Sequence, residues 1–262
     1  MRDSYLNKKI RSAGVDIGSR TVKLVIVEDG NVVHQLVQKN QFDHKAQVEA
    51  MLEGLDYDIL TATGYGRHNF EASEDTQIIT EIKAFALGCN KLFPECRTIL
   101  DIGGQDTKAI SLDKRGRIKK FIMNDRCAAG TGRFLEIMAN ALNYSLEDFG
   151  DAAAAAELSE KINNMCTVFA ESEVISTLTR GAKRESVALG IHESIVDRSV
   201  GLLDRVGVNG KVVFAGGVAY NPALRKLLQK RMNLEIETPE NPQIVGALGC
   251  AIHGTKILKE CV

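Results

Sequence analysis

The chain has 262 residues, of which 44% are apolar and 26% are charged, and its formal net charge is −1. This composition is that of a globular protein long enough for two packed lobes, and it excludes a disordered chain. The near-zero net charge excludes general attraction to nucleic acid or to an anionic membrane. The first ten residues lack a signal-peptide core, and no stretch approaches about 18 apolar residues, so a cytoplasmic location is expected.

The chain contains an internal repeat. Residues 16–23 align with residues 101–108 at a constant offset of 85 positions (16 to 101), with Asp, Ile, Gly and Lys matching. In each copy a short apolar run, a glycine turn and a second strand-like run predict a β-hairpin. A further turn, at 29–30 and at 113–116, leads into a third strand. Two three-stranded meanders therefore begin two similar halves.

Helical periodicity and capping residues account for most of the remaining chain. Amphipathic spacing predicts a helix over 131–142, Ser145 is expected to cap the next one, and 171–178 is again helical in pattern. Further along, a strand is predicted over 212–214, Asn221 and Pro222 are expected at the N-cap and first position of a helix, and 243–259 is expected to close the chain as a helix.

The two hairpin turns are the first candidate binding elements. A turn rich in glycine and hydroxyl groups lets backbone N–H groups approach phosphate oxygens without a Cβ in the way. One such turn is usually only a turn, but the duplication favours a clamp in which both turns hold one nucleotide. The sequences typical of P-loop and Rossmann nucleotide sites are absent from the chain.

The paired hairpins, together with the glycines that follow the 212–214 strand, resemble the phosphate and adenosine segments of the acetate and sugar kinase, Hsp70 and actin superfamily. That resemblance implies an α/β fold of two duplicated actin-like lobes, the first formed by 1–96 with the closing segment 243–262 and the second by 97–242. It implies that Asp16 and Asp101 organise Mg²⁺ through water. The implied nucleotide-binding residues are Asp16, Gly18, Ser19, Arg20, Thr21, Val22, Lys23, Gly103, Gly104, Gln105, Arg133, Gly216, Gly217 and Gln243. The implied catalytic residues are Ser19, Asp101 and Gln105.

Two of the six cysteines, Cys127 and Cys166, stand where an irregular segment enters a predicted helix. The N-terminal end of a helix offers unpaired N–H groups and a positive dipole to an anionic sulfur centre. A cubane iron–sulfur cluster needs four thiolates, which two ligands per chain supply only in a two-fold dimer. The other four cysteines, at 89, 96, 250 and 261, are expected to be structural. The five histidines form no metal-ligand spacing.

The segments 123–135 and 166–176 resemble the activators (component A) of 2-hydroxyacyl-CoA dehydratases. Segments 62–67 and 101–106 are also similar, and the resemblance extends from Gly14 to Ile252. It implies one 4Fe–4S cluster shared by a homodimer through Cys127 and Cys166, with ATP and Mg²⁺ driving one electron to an acceptor dehydratase. A ferredoxin or flavodoxin is the implied electron source. This chain departs from the family pattern by an N-terminal extension of about ten residues and by Arg20, where small residues are commoner.

Three other functions remain open at the level of sequence. The ATP-binding subunits of benzoyl-CoA reductase, and reductases that serve other iron–sulfur proteins, share the same motifs. A small-molecule kinase of the same superfamily would use a carboxylate as base toward an acceptor hydroxyl. A regulatory ATP-binding module without redox chemistry is the third alternative. Anaerobic purification and an iron measurement distinguish these functions.

Overall fold

A computed structural model describes residues 9–70, 76–163 and 166–260. Cys261 and the first eight residues of the N-terminal extension lie outside the described residues. The chain divides into two compact units, one formed by Met1–Pro94 with Gln243–Val262 and the other by Glu95–Pro242. Each unit is built on a mixed sheet of five strands.

In the first unit, the antiparallel meander β3-β2-β1 continues into two parallel strands in the order β3-β2-β1-β4-β5. The strands are β1 (Arg11–Ile17), β2 (Thr21–Glu28), β3 (Asn31–Lys39), β4 (Ile59–Thr63) and β5 (Thr76–Ile78). The helices are α1 (His44–Leu52), α2 (Glu81–Leu92), α8 (Val245–Glu260) and the short 3₁₀ helix Tyr65–Phe70. The predicted hairpin and third strand are therefore confirmed.

The second unit repeats this topology, with its strands in the order β10-β9-β6-β7-β8. The strands are β6 (Cys96–Ile102), β7 (Thr107–Leu112), β8 (Ile118–Asn124), β9 (Lys211–Ala215) and β10 (Ile236–Glu237). The helices are α3 (Gly132–Ala141), α4 (Leu146–Ala155), α5 (Thr167–Thr179), α6 (Arg184–Val206), α7 (Pro222–Met232) and the 3₁₀ helix Gly217–Tyr220. As in the first unit, a three-stranded antiparallel meander is followed by parallel strands.

Local capping explains why several predicted helices begin where they do. The backbone N–H of Asp148 donates to Ser145 Oγ at 3.0 Å, and the N–H of Leu224 donates to Asn221 Oδ1 at 3.2 Å. These bonds satisfy N–H groups that have no partner inside the helix. The predicted closing helix begins two residues later than expected, at Val245.

Glycines let the closing helix α8 pack against its own unit at very short range. A Cβ added to Gly14 on β1 would lie 2.1 Å from the carbonyl oxygen of Ala247, and one added to Gly249 would lie 1.8 Å from that of Ala84. No side chain fits at either distance, so glycine is required at both positions. The sheet and helix core of this unit is therefore continuous with the C-terminal segment.

Candidate nucleotide and metal sites

The two hairpin turns have the same hydrogen-bond geometry. The N–H of Gly18 donates to Thr21 O at 3.1 Å, and the N–H of Gly103 donates to Asp106 O at 2.9 Å. These donor and acceptor positions are separated by the repeat offset of 85 (18 to 103). Arg20 and Gln105 are the exposed tips of the two turns. The sequence repeat thus corresponds to a repeat in backbone structure.

Each turn is followed by a lysine that is paired with the repeated aspartate across the hairpin. Lys23 Nζ lies 3.3 Å from Asp16 Oδ2, and Lys108 Nζ lies 3.2 Å from Asp101 Oδ2. Lys108 has a second carboxylate, Asp106 Oδ2, at 2.6 Å, and its side chain is 2% exposed against 13% for Lys23. Lys108 is therefore held as a buried structural cation, whereas Lys23 is the more accessible of the two to a phosphate oxygen.

A glycine in the left-handed region touches the repeated aspartate in each unit. Gly64 (φ +92°) follows β4, and an added Cβ would lie 2.6 Å from Asp16 Oδ1. Gly216 (φ +85°) follows β9, and an added Cβ would lie 2.3 Å from Asp101 Oδ1. Because these glycines are 152 positions apart (64 to 216), the sequence repeat of 85 did not reveal that they are equivalent.

The predicted adenosine segment begins at Gly216 and is joined to the end of its unit. The N–H of Gly216 donates to Pro242 O at 3.0 Å, immediately before Gln243. The half-exposed Tyr220, four residues further on, donates its hydroxyl to Asn241 Oδ1 at 2.6 Å, and burial raises the pKa of this phenol. Sequence reasoning did not single out Tyr220, because the hydrogen bond that fixes its ring is visible only in three dimensions.

The N-terminus of α3 is bonded to the second hairpin turn, 103–105, which is the second predicted phosphate turn. The N–H of Gly132 donates to Gly103 O at 2.9 Å, and the N–H of Arg133 donates to Gly104 O at 2.8 Å. The guanidinium of Arg133 pairs with Glu136 Oε2 at 3.1 Å on the same helix. In the second unit the structure therefore brings Arg133 to the turn 103–105 through its backbone.

Cys127 and Cys166 differ from the other described cysteines in exposure. Both are exposed, whereas Cys89, Cys96 and Cys250 are buried. Burial raises the pKa of the Cys250 thiol well above its usual value and keeps it a neutral core residue. The two exposed thiols lie in the same unit and have the soft thiolate chemistry that iron–sulfur clusters require.

The two exposed cysteines occupy different positions relative to their helices. Cys166 is the N-cap residue of α5, and no side chain caps the helix there. Cys127 lies four residues before Thr131, the N-cap of α3. Since the first amides of α3 are already bonded to the phosphate turn, they are not directed to Cys127. The loop that carries Cys127 is instead held through its carbonyl groups, one of which accepts from Asn124 Nδ2 at 3.0 Å.

The described part of a single chain does not complete a metal site. Among residues 9–70, 76–163 and 166–260, no group of three or more His, Cys, Asp or Glu side chains is arranged to hold a metal ion. His192 is fully buried; its Nδ1 lies 2.8 Å from Ala188 O, and burial lowers its pKa to about 4. It is a neutral core residue. No described helix combines the length and apolar surface that crossing a bilayer requires.

The repeated units define the class of protein. Two sheets of one topology, each with a glycine hairpin turn and a carboxylate–lysine pair, form the α/β fold of the actin-like ATPases and sugar kinases. A ROK family glucokinase from Streptomyces griseus, in complex with glucose and AMPPNP, has this fold with a TM-score of 0.56. It is 11% identical over 93% of this chain and 98% of its own, which shows the fold alone. The predicted fold is confirmed.

The chain belongs to the BadF/BadG/BcrA/BcrD ATPase family, whose model matches residues 13–254. It is 40% identical over 256 residues to the 2-hydroxyisocaproyl-CoA dehydratase activator of Clostridioides difficile, in an alignment that covers 94% of this chain and 96% of the relative. The structure of that activator with bound ADPNP has a TM-score of 0.89 at 39% identity, over 96% of this chain and 97% of its own. One of the benzoyl-CoA reductase subunits of Thauera aromatica is 32% identical over 93% of this chain and 92% of the relative. The resemblance to dehydratase activators is confirmed.

Proposed function

We propose that this chain is an ATP-dependent one-electron reductase that serves a 2-hydroxyacyl-CoA dehydratase or a related iron–sulfur enzyme. One observation carries the proposal: the exposed cysteines Cys127 and Cys166 lie in the unit whose phosphate turn is bonded to α3. The activators of 2-hydroxyisocaproyl-CoA and lactoyl-CoA dehydratases are relatives over more than nine-tenths of the chain. They support this acceptor class.

The nucleotide is ATP or ADP with Mg²⁺, and its proposed binding residues lie in the repeated turn of each unit. The N–H groups of Gly18 and Gly103 close the two turns, so other backbone N–H groups within 18–23 and 103–105 approach the phosphates, and Lys23 adds a positive charge. Asp16 and Asp101 hold the waters of Mg²⁺, a metal that retains several waters and takes oxygen ligands. Gln105 orients the attacking water, with Ser19 and Asp101 completing the catalytic set. Gly216, Gly217 and Gln243 border the adenosine, and Arg133 supports the second turn.

The metal group is a 4Fe–4S cluster that two copies of the chain share. When bound, it supplies a low-potential electron. Cys127 and Cys166 of each copy provide two thiolates, so a two-fold axis gives the four that a cubane requires. Val168 and Phe169, which follow Cys166 closely on α5, are 69% and 63% exposed, and they suit an apolar contact with the second copy around the thiolates.

The electron source in this proposal is a ferredoxin or flavodoxin, and the site of action is the cytoplasm. The thiols of Cys127, Cys166 and Cys250 are free, which fits a reducing compartment. A second acceptor class is supported by the benzoyl-CoA reductase subunit among the relatives. In that case the same thiolates and turns serve a reductase instead of a dehydratase.

Anaerobic purification tests the proposal. We expect a brown protein whose mass is that of two chains, with about four irons per dimer because a cubane holds four. ATP hydrolysis should require Mg²⁺, and the reduced protein should activate a 2-hydroxyacyl-CoA dehydratase. A colourless monomer that transfers phosphate to a small-molecule hydroxyl would contradict the proposal and indicate a kinase.

A further inference from the structure

The loop between β8 and α3, which carries Cys127, is anchored at each of four successive carbonyl groups. Asn124 Nδ2 donates to Cys127 O at 3.0 Å and to Ala129 O at 3.4 Å. Thr131 Oγ1 donates to Ala128 O at 2.6 Å. Thr107 Oγ1 donates to Gly130 O at 3.0 Å, in a buried position. The position of Cys127 is therefore set by these four donor contacts.

Thr107 connects this loop to the second phosphate turn. It is the first residue of β7 and follows Asp106, whose carbonyl closes the turn by accepting from the N–H of Gly103. Two residues after Gly130 the chain returns to the same turn, because Gly132 and Arg133 donate to Gly103 O and Gly104 O. The C-terminal end of the loop is thus attached at two points to one nucleotide-binding element.

The first unit shows that the fold of the hairpin does not require the Thr107 hydroxyl. At the repeat offset of 85 (22 to 107) the first unit has Val22, which is fully buried in the equivalent strand position. Val and Thr have nearly the same shape and differ in the hydroxyl. The described cysteines of the first unit, Cys89 and Cys250, are buried in helices, so the Val22 position there has no exposed cysteine loop to hold. The Thr107 hydroxyl is therefore needed for the hydrogen bond to Gly130 and not for the fold of the hairpin.

The loop also contacts Arg198 of α6, which limits how far the loop can move independently of the turn. Arg198 Nη1 on α6 lies 3.4 Å from Ala129 O. A Cβ added to Gly130, whose φ is +82°, would lie 2.8 Å from Arg198 Cδ. The backbone at 129–130 packs directly on the arginine side chain, and a shift at Gly130 must move its neighbours in the loop.

We propose that Thr107 is a positioning residue that transmits the nucleotide state of the second phosphate turn to Cys127 through its hydrogen bond to Gly130. The inference rests on the proposed nucleotide site. A change in the turn displaces the start of β7, the hydroxyl carries that displacement to Gly130 O, and the loop re-orients the Cys127 thiol. In a purely structural role, the hydroxyl would satisfy one buried carbonyl and have no effect on Cys127.

The test uses iron-free protein, so that its result does not depend on the cluster. The rate of alkylation of Cys127 by N-ethylmaleimide is measured by peptide mass spectrometry with Mg·ADP and with Mg·ADPNP, and Cys166 provides an internal reference. We expect the two nucleotides to change the Cys127 rate by about fivefold, the effect of one hydrogen bond. Thr107→Val should bring that ratio close to one while the Kd for ADP stays within about twofold of the wild type.

Two further variants separate coupling from stability. Thr107→Ser keeps the hydroxyl and should retain the nucleotide-dependent ratio. Thr98→Val removes another buried hydroxyl of the same unit, which donates to Asn209 O at 2.9 Å, and should leave the ratio unchanged. Thr107→Ala repeats the test if Thr107→Val fails to fold.

A full nucleotide-dependent ratio in Thr107→Val or Thr107→Ala overturns the inference. Equal Cys127 rates in wild-type protein that binds both nucleotides also overturn it, while the proposed function still stands on its iron content. Wild-type protein that binds neither nucleotide contradicts both.

Discussion

The two repeated hairpins share a framework and differ in what is attached to it. Both have a glycine N–H that closes the turn, an aspartate–lysine pair and a glycine in the left-handed region against the aspartate. Within the described ranges, only the second has a turn whose carbonyl groups accept from the N-terminus of a helix preceded by an exposed cysteine loop. The shared residues form the framework that we propose binds phosphate, and the residues that differ lie where we propose the cluster thiolates.

The largest effect is expected from the two exposed cysteines, which both lie in the second unit. Cys127→Ser or Cys166→Ser should abolish stable iron binding, because a cubane cannot keep four thiolates when each copy provides one. The measurement is iron content and the visible spectrum after anaerobic purification. The control is Cys89→Ser, a buried residue of α2, which should keep its iron. A normal spectrum in either of the first two variants would show that the ligands are elsewhere.

The lysines of the two turns should differ in their contribution to stability. Lys108→Met leaves Asp101 and Asp106 without their buried cation and should lower the free energy of unfolding by about 3–5 kcal/mol. Lys23→Met leaves one carboxylate in a less buried position and should cost about 1–3 kcal/mol. Urea unfolding followed by far-UV circular dichroism is suitable, since the chain has no tryptophan.

An equal loss of unfolding free energy in Lys108→Met and Lys23→Met would mean that the second carboxylate, Asp106, does not strengthen the Lys108 site.

The Lys23→Met variant also tests whether Lys23 belongs to the nucleotide site. Lys23→Met should weaken ADP binding in protein that is still folded, because Lys23 is the more accessible lysine. Unchanged ADP affinity in folded Lys23→Met protein would remove Lys23 from the nucleotide site.

The exposed tips of the turns, Arg20 and Gln105, should have separate effects on catalysis and binding. Gln105→Ala should lower ATP turnover by about 10- to 100-fold, the effect of one hydrogen bond to a charged group, with little change in ADP affinity. That is the pattern of an interaction made mainly in the transition state. Arg20→Ala should change ADP affinity and turnover together. Equal losses of turnover and ADP affinity in Gln105→Ala would indicate a structural role for this side chain.

The smallest effect concerns the pH dependence of the second unit. Burial lowers the pKa of His192 to about 4, below its usual value of 6.5, so the unfolded chain binds the proton more tightly. Stability should therefore be complete above about pH 6.5 and fall as pH decreases toward 4. Between pH 7 and pH 5.5 the iron-free protein should lose about 1 kcal/mol.

His192→Gln is the matched variant for this prediction. Its amide can still donate and accept, as the ring does between Ala188 O and Asn221 Nδ2, but it does not titrate. In this variant the loss of unfolding free energy between pH 7 and pH 5.5, measured by urea unfolding, should be smaller by about 1 kcal/mol. An unchanged slope in His192→Gln would assign the dependence to other groups.

Secondary-structure elements that depend on local sequence could be predicted, whereas contacts between residues distant in sequence could not. The hairpins follow from glycine turns between apolar runs, and the helices at Ser145 and Asn221 follow from their caps. The full extent of α6, 23 residues, was not predicted, because it is buried on much of its surface and shows no simple apolar stripe. The contacts of Thr107 with Gly130 and of Gly64 with Asp16 were not predicted, because the partners in each contact are distant in sequence.

The central claim is that the nucleotide on the repeated turns controls the electron delivered through Cys127 and Cys166. The most direct test is a redox titration of the anaerobically purified dimer, followed by electron paramagnetic resonance. One sample contains Mg·ADP, and the other contains Mg·ADP with aluminium fluoride as a mimic of the transition state. We predict different midpoint potentials in the two states, because hydrogen bonds and exposure at the thiolates tune the potential. Identical midpoint potentials in both nucleotide states would contradict the account.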